Sequence, residues 1–326
     1  MRHPPFPMRA LITGINGFVG GHLAEHLLAT GAWDVAGLAR QPTLAFGALD
    51  GRVTYIAADL NDRDQALMAL ASVRPDVIFH LAGQSNVPRA FADPHTTVQT
   101  NIGAQLNLFL SVLQLRLDPL MIIASSNEIY GMVRPEELPL TEETPLRPVN
   151  PYAVSKAAQD LFAYQYYISH QLRTIRLRPF NHIGPRQTEA FVVPAFAAQI
   201  ARIEAGLQPP TLRVGNLAAE RDFSDVRDIA RAYELAALYG EVGAAYNVGS
   251  EQAVSVRRLL EILLTFSTHD VQIEPDPSRM RPSDVPRVVC NASRFRAATG
   301  WKPLIPLEQT LFDTLEYWRS RIQEQL

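Results

Sequence analysis

Only one cysteine, Cys290, occurs in the 326 residues, so an internal disulfide is excluded. No group of Cys and His has the spacing of a zinc site, and no metal is expected. Cys290 itself reads as a small apolar residue in a strand. No run of about 18 uninterrupted apolar residues occurs, which argues against a membrane-spanning helix. A surplus of either charge is also lacking. The 30 Lys and Arg face 33 Asp and Glu, a formal net charge of −3, and such a balance leaves no electrostatic footprint for nucleic acid. Repeats and low-complexity tracts are missing. The proline-rich start, Met1 to Pro7, has no apolar signal core and is expected to be a disordered extension or an added remnant. What remains is a soluble, cytoplasmic, enzyme-sized chain. Its 47% hydrophobic residues suffice for a large core in one or two domains.

Against these absences stands a strand, a glycine-rich turn and a helix at the start of the chain. Arg9-Ala10-Leu11-Ile12-Thr13 reads as a buried strand, followed by Gly14-Ile15-Asn16-Gly17-Phe18-Val19-Gly20 and a helix with Leu23, Ala24, Leu27 and Leu28 inward. This is the context that a dinucleotide fingerprint requires, here spaced G-x-x-G-x-x-G. Gly14 would allow the tight turn, Gly17 the approach of a pyrophosphate, and Gly20 close helix–strand packing. A second strand, Asp34 to Leu38, ends at Ala39-Arg40, where an NAD site carries a carboxylate for the ribose. A guanidinium there suits a 2′-phosphate, so NADP(H) is expected over NAD(H), with NAD(H) as the alternative.

The next strand, from Val53, ends at Asp59-Leu60, suited to an adenine ring. A fourth runs from Asp76 to Gly83 and delivers Gln84, Ser85 and Asn86 at its carboxyl end, where open α/β sheets bind ligands. His80, inside that apolar strand, reads as a satisfied core histidine. Leu120 to Ala124 is a fifth strand and Thr174 to Arg178 a sixth. Two long helices, Asn101–Leu115 and Tyr152–Leu172, carry more apolar positions than a solvated face needs. A homodimer through a helix bundle (about 101–115 and 152–172) accounts for this, and a buried intramolecular surface accounts for it nearly as well. Tyr152 and Lys156, four apart, share one helix face, where an ammonium beside a phenol would lower the phenol's pKa and fit it for proton transfer to a carbonyl–alcohol pair.

The expected fold is α/β, a doubly wound parallel sheet over residues 8–178. From Pro179 the alternation loosens, and a smaller, interleaved C-terminal domain is expected over 179–326. One return to the main sheet is expected at about 225–249, through a helix Val226–Tyr239 and a strand Ala245–Val248.

Together Thr13-Gly14-x-x-Gly17-x-x-Gly20, His80-Leu81-Ala82-Gly83, the set Ser126, Tyr152 and Lys156, and Asn181-His182-Ile183-Gly184-Pro185-Arg186 resemble the extended short-chain dehydrogenase/reductase family, of Rossmann type. The likeness runs from about Met8 through Gly300-Trp301-Lys302-Pro303. Gly83-Gln84-Ser85-x-Val87-Pro88, Arg178-Pro179-Phe180-Asn181, Arg221-Asp222-Phe223-x-Asp225-Val226 and Met280-Arg281-Pro282-Ser283 resemble its GDP-mannose-linked branch, the GDP-6-deoxy-4-keto-mannose reductases and GDP-mannose 4,6-dehydratases. The resemblance implies an NADP-binding domain and a nucleotide-sugar-binding domain. It also implies reduction of the C4 ketone of GDP-4-keto-6-deoxy-D-mannose to GDP-D-rhamnose. Tyr152 would be the proton donor, Ser126 would hydrogen-bond the developing alkoxide, and Lys156 would bind the nicotinamide ribose.

The cofactor residues it implies are Gly14, Asn16, Gly17, Phe18, Val19, Gly20, Arg40, Asp59, Leu60, Leu81, Ala82, Gly83, Gln84, Asn101, Tyr152 and Lys156. For the GDP-sugar they are Ser85, Asn181, Arg186, Val193, Asn216, Arg221 and Arg281. Glu128 stands where the dehydratases place their additional base, two positions after a threonine that is Ser126 here. Against a dehydratase, the glycine loop reads Asn16-Gly17-Phe18, where those enzymes carry glutamine–aspartate–glycine, and the chain is shorter. A GDP-sugar reductase is therefore the first reading and the dehydratase its alternative. A UDP-sugar epimerase or dehydratase and a non-catalytic NADP-binding regulator stand behind them.

Overall fold

The computed structural model of the protein describes residues 7–279 and 285–326. The expectations for residues 1–6 and for Arg281 therefore lie outside the described residues.

Short apolar runs make the central sheet. β1 (Met8–Thr13) leads through α1 (Phe18–Thr30) to β2 (Trp33–Ala39) and β3 (Thr54–Ala57). α2 (Arg63–Val73) and β4 (Val77–His80) follow. The chain then reaches α3 (Val87–Ala92), α4 (Pro94–Val98), α5 (Ala104–Gln114) and β5 (Leu120–Ala124), and α6 (Pro151–His170) leads to β6 (Thr174–Pro179). All pair in parallel, and β4 and β5 are buried at every residue, as a sheet covered on both faces requires. Caps fix the helix starts. Asp62 accepts from the N–H of Asp64 and Gln65 before α2, and Asn150 accepts from Ala153 before α6, whose first residue is Pro151.

Beyond β6 the chain builds a second, smaller layer from β7 (Asn181–Ile183), α7 (Val192–Glu204), β8 (Thr211–Val214) and β9 (Glu220–Asp225). It then returns through α8 (Val226–Tyr239) and β10 (Ala245–Val248), which pairs in parallel with β6. The main sheet thus has the order β10-β6-β5-β4-β1-β2-β3. The helix and strand bounds of this return coincide with those expected from the sequence. β11 (Ala253–Ser255), α9 (Val256–Thr265) and β12 (Gln272–Pro275) rejoin the second layer. α10 (Ser293–Thr299) lays Phe295 against the main core, and α11 (Leu307–Gln323) closes on α7 and α9.

Two cores flank the sheet. α1 and α8 cover one face with Leu23, Leu27, Ile229 and Tyr233, and α2, α5 and α6 cover the other with Leu70, Leu108, Phe109 and Ala163. A third core joins α7, α9 and α11. The sheet order reverses at β1 and β4, so the loops after these two strands meet at the carboxyl edge, where such folds bind ligands.

One element differs from expectation. The helix read as Asn101–Leu115 is the end of a longer helical run that starts at Pro94, and it contains a π-helical stretch at Gln99–Gly103. Within this wide turn Asn101, fully buried, reaches back across the fold. Its Oδ1 accepts from Gln84 N at 2.7 Å, and its Nδ2 donates to Gln84 O at 3.1 Å and to Ser155 Oγ at 2.8 Å.

Candidate active site

The glycine loop fits as its sequence implied. Gly14 takes φ +77, a left-handed conformation in which a Cβ would also lie 2.9 Å from the Ala82 backbone. A Cβ on Gly20 would collide with the Gly14 carbonyl. Glycine at these two points lets the turn after β1, the first turn of α1 and the end of β4 close on each other.

No side chain caps α1, whose N-terminal residue Gly17 is extended at φ −79, ψ 167. The orphan N–H groups of its first turn face an open cleft lined by Gly17, Phe18, Val19 and Gly20, a ready anion-binding end. A neighbouring groove of about 730 Å³ continues from there past Leu38, Arg40, Asp59, Leu60, Leu81 and Ala82. Arg40 is exposed there and has no carboxylate within ion-pair distance among the described residues. The residues present therefore fit a dinucleotide whose ribose carries a phosphate. Asn16 borders the groove, but its side chain holds the loop after β2, donating to Thr43 O at 2.9 Å and accepting from Ala45 N at 2.9 Å. Asn101 acts at one remove, fixing Gln84 next to Gly83.

The main cleft, about 1350 Å³, lies between the sheet edge and the second layer. Ser126, Glu128, Tyr152, Lys156, Ser85, Asn181 and Val193 all line it. Tyr152 and Lys156 project from one face of α6 as their spacing predicts, and both are buried, at 9% and 6% exposure. The pKa tuning expected from their proximity is not what this arrangement produces. Burial pushes the Tyr152 phenol up to about 12. Ser126, hydrogen-bonding beside it, pulls the value down, and the Glu128 charge adds to the rise. Lys156 is itself lowered to about 8 by burial and donates to Ala124 O at 2.7 Å. One of its three N–H donors thus goes to the strand end beneath the cleft.

His80 is in the core as expected but is satisfied on one side only. Ala82 N donates to Thr13 Oγ1 at 3.2 Å, which directs the hydroxyl hydrogen to His80 Nδ1 at 2.9 Å. The remaining Nε2 is buried without a partner among the described residues, and burial together with the Lys156 charge lowers its pKa to about 3. The imidazole is neutral.

Three expected substrate residues lie away from the cleft lining. Arg186 forks onto Glu25 at 2.8 and 2.6 Å and onto His22 at 2.7 Å, stacked over Phe46, so its guanidinium braces the loop after β7 against α1. Asn216 accepts from Ala218 N in the turn after β8. Arg221 on β9 donates to Glu220 O at 2.9 Å and reaches Pro286 O at 3.5 Å.

The cleft also holds residues that the sequence reading left out. His182 stacks parallel on Phe18 at 6.0 Å. Tyr233 enters from α8, and Asn150 binds Glu128 from below. His182 was within reach, since it sits inside a quoted motif. The others depend on distant elements meeting. Asn181 presents a buried Oδ1 with no partner among the described residues, an acceptor open to a ligand hydroxyl. Among the described residues no grouping of His, Cys, Asp and Glu could hold a metal ion, and no helix is long and apolar enough to cross a membrane.

A family model described as GDP-mannose 4,6 dehydratase matches residues 11–314. The chain is 39% identical over 317 residues to the GDP-6-deoxy-D-mannose reductase of Pseudomonas aeruginosa, covering 97% of this chain and 99% of that one. Among solved structures it is similar to RMD from Pseudomonas aeruginosa complexed with NADPH, with a TM-score of 0.85 and 38% identity over 96% of this chain and 99% of the other. It is likewise similar to the Thermus thermophilus UDP-glucose 4-epimerase complexed with NAD, with a TM-score of 0.85 and 32% identity over 96% and 99%.

Proposed function

This chain belongs to the GDP-mannose 4,6-dehydratase family, and from that premise we propose that it is an NADPH-dependent reductase of the C4 ketone of GDP-4-keto-6-deoxy-D-mannose, giving GDP-D-rhamnose. The observation that carries this reading is the meeting of the Tyr152 phenol, Ser126 and Lys156 in one cleft beside the glycine loop, in a chain 39% identical to a GDP-6-deoxy-D-mannose reductase. A ketoreductase needs an acid at this point. Bound NADPH supplies the hydride. Tyr152 donates its proton to the oxygen developing charge at C4, and Ser126 hydrogen-bonds that oxygen, where stabilisation of developing charge counts most. The N–H groups at the start of α1 would hold the pyrophosphate, and Arg40 would hold the 2′-phosphate. NAD(H) is the weaker alternative. Asn181, Ser85 and Val193 would meet the sugar, with Arg221 toward the nucleotide.

By this reading residues 8–178 with 225–249 bind the cofactor, and 179–326 mainly bind the nucleotide sugar. A second copy of the chain is the proposed partner. On α6, Val154, Leu161 and Ile168 recur every seventh residue with Tyr164 between them, and all are exposed, at 48, 56, 60 and 46%. Such a stripe suits packing against its own symmetry mate.

One observation favours the second reading, a GDP-mannose 4,6-dehydratase. Glu128 lines the same cleft as Tyr152. The test is a paired assay. Stoichiometric NADPH oxidation with GDP-4-keto-6-deoxymannose, and no keto sugar formed from GDP-mannose with NADP⁺, is the expected result. Keto-sugar formation without net cofactor consumption would overturn it in favour of the dehydratase. Displacement of the substrate by UDP but not GDP would remove the guanine assignment.

A further inference from the structure

Glu128 reaches the cleft, but its carboxylate is already engaged. Asn150 Nδ2 donates to Glu128 Oε2 at 3.1 Å, and Asn150 is itself buried. The other half of that amide, Oδ1, accepts from Ala153 N at 2.8 Å and caps α6, the helix that presents Tyr152 two residues later. The Glu128 backbone N–H in turn donates to Ser126 Oγ at 3.2 Å. A single buried amide therefore joins the start of the Tyr152 helix to the only carboxylate lining the cleft among the described residues.

We propose that Asn150 is a positioning and specificity residue, which holds the Glu128 carboxylate as an anchored hydrogen-bond acceptor and thereby keeps it from acting as a base toward C5–H of a 4-keto sugar. The inference rests on the reductase reading above. The contact engages one carboxylate oxygen and fixes the rotamer of the side chain, so the other oxygen is held in place and cannot turn freely toward C5. The C5–H of a 4-keto sugar is acidic because it adjoins the carbonyl. A released Glu128 would accept that proton, and the C–H electron pair would move into the C4–C5 bond, leaving an enolate with its charge on the C4 oxygen. Return of a solvent proton to C5 restores the ketone. No net oxidation occurs, and one hydrogen has been exchanged for solvent. With the clamp in place, the cleft is reserved for reduction of the carbonyl.

The test uses Asn150→Ser, because serine caps a helix about as well as asparagine but is too short to reach Glu128. Each enzyme is loaded with NADP⁺, which cannot deliver hydride, and given GDP-4-keto-6-deoxymannose in D₂O. Deuterium at C5 is followed by proton NMR. The rate is divided by that of reduction measured with NADPH. In the Asn150→Ser variant this ratio is expected to rise at least about tenfold, the value of one charge-assisted hydrogen bond. In the double variant Asn150→Ser with Glu128→Gln it is expected to return to the wild-type level. An unchanged ratio in the single variant overturns the clamp. A rise that persists in the double variant also overturns it, since the base is then another group. Wild-type NADPH oxidation reports on the reductase reading separately. If that fails, the reductase reading falls by itself, and the undivided exchange rate, rising in Asn150→Ser and falling back in the double variant, still tells whether Asn150 restrains Glu128.

Discussion

At the scale of single residues the cleft is organised by two buried groups that burial drives in opposite directions. Tyr152 is held protonated and Lys156 is pushed toward its neutral form. Replacing Tyr152 by Phe removes the proton donor and little volume. Turnover should fall about 10²- to 10⁴-fold with NADPH affinity unchanged, read by steady-state kinetics and by fluorescence titration of the cofactor.

Lys156 gives a stability prediction. Its folded pKa of about 8 lies below the ordinary 10.5. Keeping it charged at neutral pH therefore costs the fold up to about 3 kcal/mol. That cost is fully present below pH 8 and is relieved as pH rises toward 10.5, where the unfolded chain still binds the proton and the folded one does not. Lys156→Met should thus be inactive yet more stable at pH 7, and it should lose the rise in stability between pH 7 and 9.5 that the wild type shows in urea. Arg40→Ala should weaken NADPH about 10- to 100-fold and NADH little in direct titrations, since charge-assisted contacts to a phosphate carry that much. The spacing of Tyr152 and Lys156 was legible in the sequence because a helix face is a local property. The destination of the lysine amine, Ala124 on a strand 32 positions earlier, was not.

At the scale of elements, the joint between β6, α6 and the turn carrying Glu128 is a buried ion cluster. Arg178 donates to both carboxylate oxygens of Asp160 at 2.9 Å and also to Tyr130 and the Glu142 carbonyl, while Arg176 reaches Asp160 at 3.1 Å. Burial alone would raise the Asp160 pKa, but the hydrogen bond and charge of Arg178, with Arg176, hold it below the usual carboxylate range. Its contribution is therefore present above the ordinary carboxylate pKa and lost as pH falls through the acid range. Arg178→Leu leaves that carboxylate half paired and should cost about 3–5 kcal/mol in urea unfolding. Changing Asp160 to Leu as well should recover part of the loss. Element bounds were legible wherever a cap and a periodic apolar run coincide, as at Asp225 before α8. The π turn at Gln99–Gly103 was not, because its apolar spacing continues that of the helix on either side and its cause, the reach of Asn101 to Gln84, crosses the fold. Arg186 shows the same limit, since its partner Glu25 is 161 positions away.

At the scale of the whole molecule, the exposed stripe on α6 is a prediction about assembly. Changing Leu161 and Ile168 together to Glu should convert the proposed dimer to a monomer in light scattering and leave the fold intact by circular dichroism, because both side chains face solvent in the single chain. The layered architecture was legible from alternating strands and helices, and so was the return of the chain to the main sheet at β10. The passages themselves have a mechanical consequence. The backbone leaves the main sheet at Phe180, comes back at Asp225–Val226 and departs again after Val248. A layer tied on by one connection can swing like a door, whereas one stitched across at several points can only rock. Among the described residues the two layers are therefore stitched together, and such a seam resists opening of the cleft more than a single hinge would.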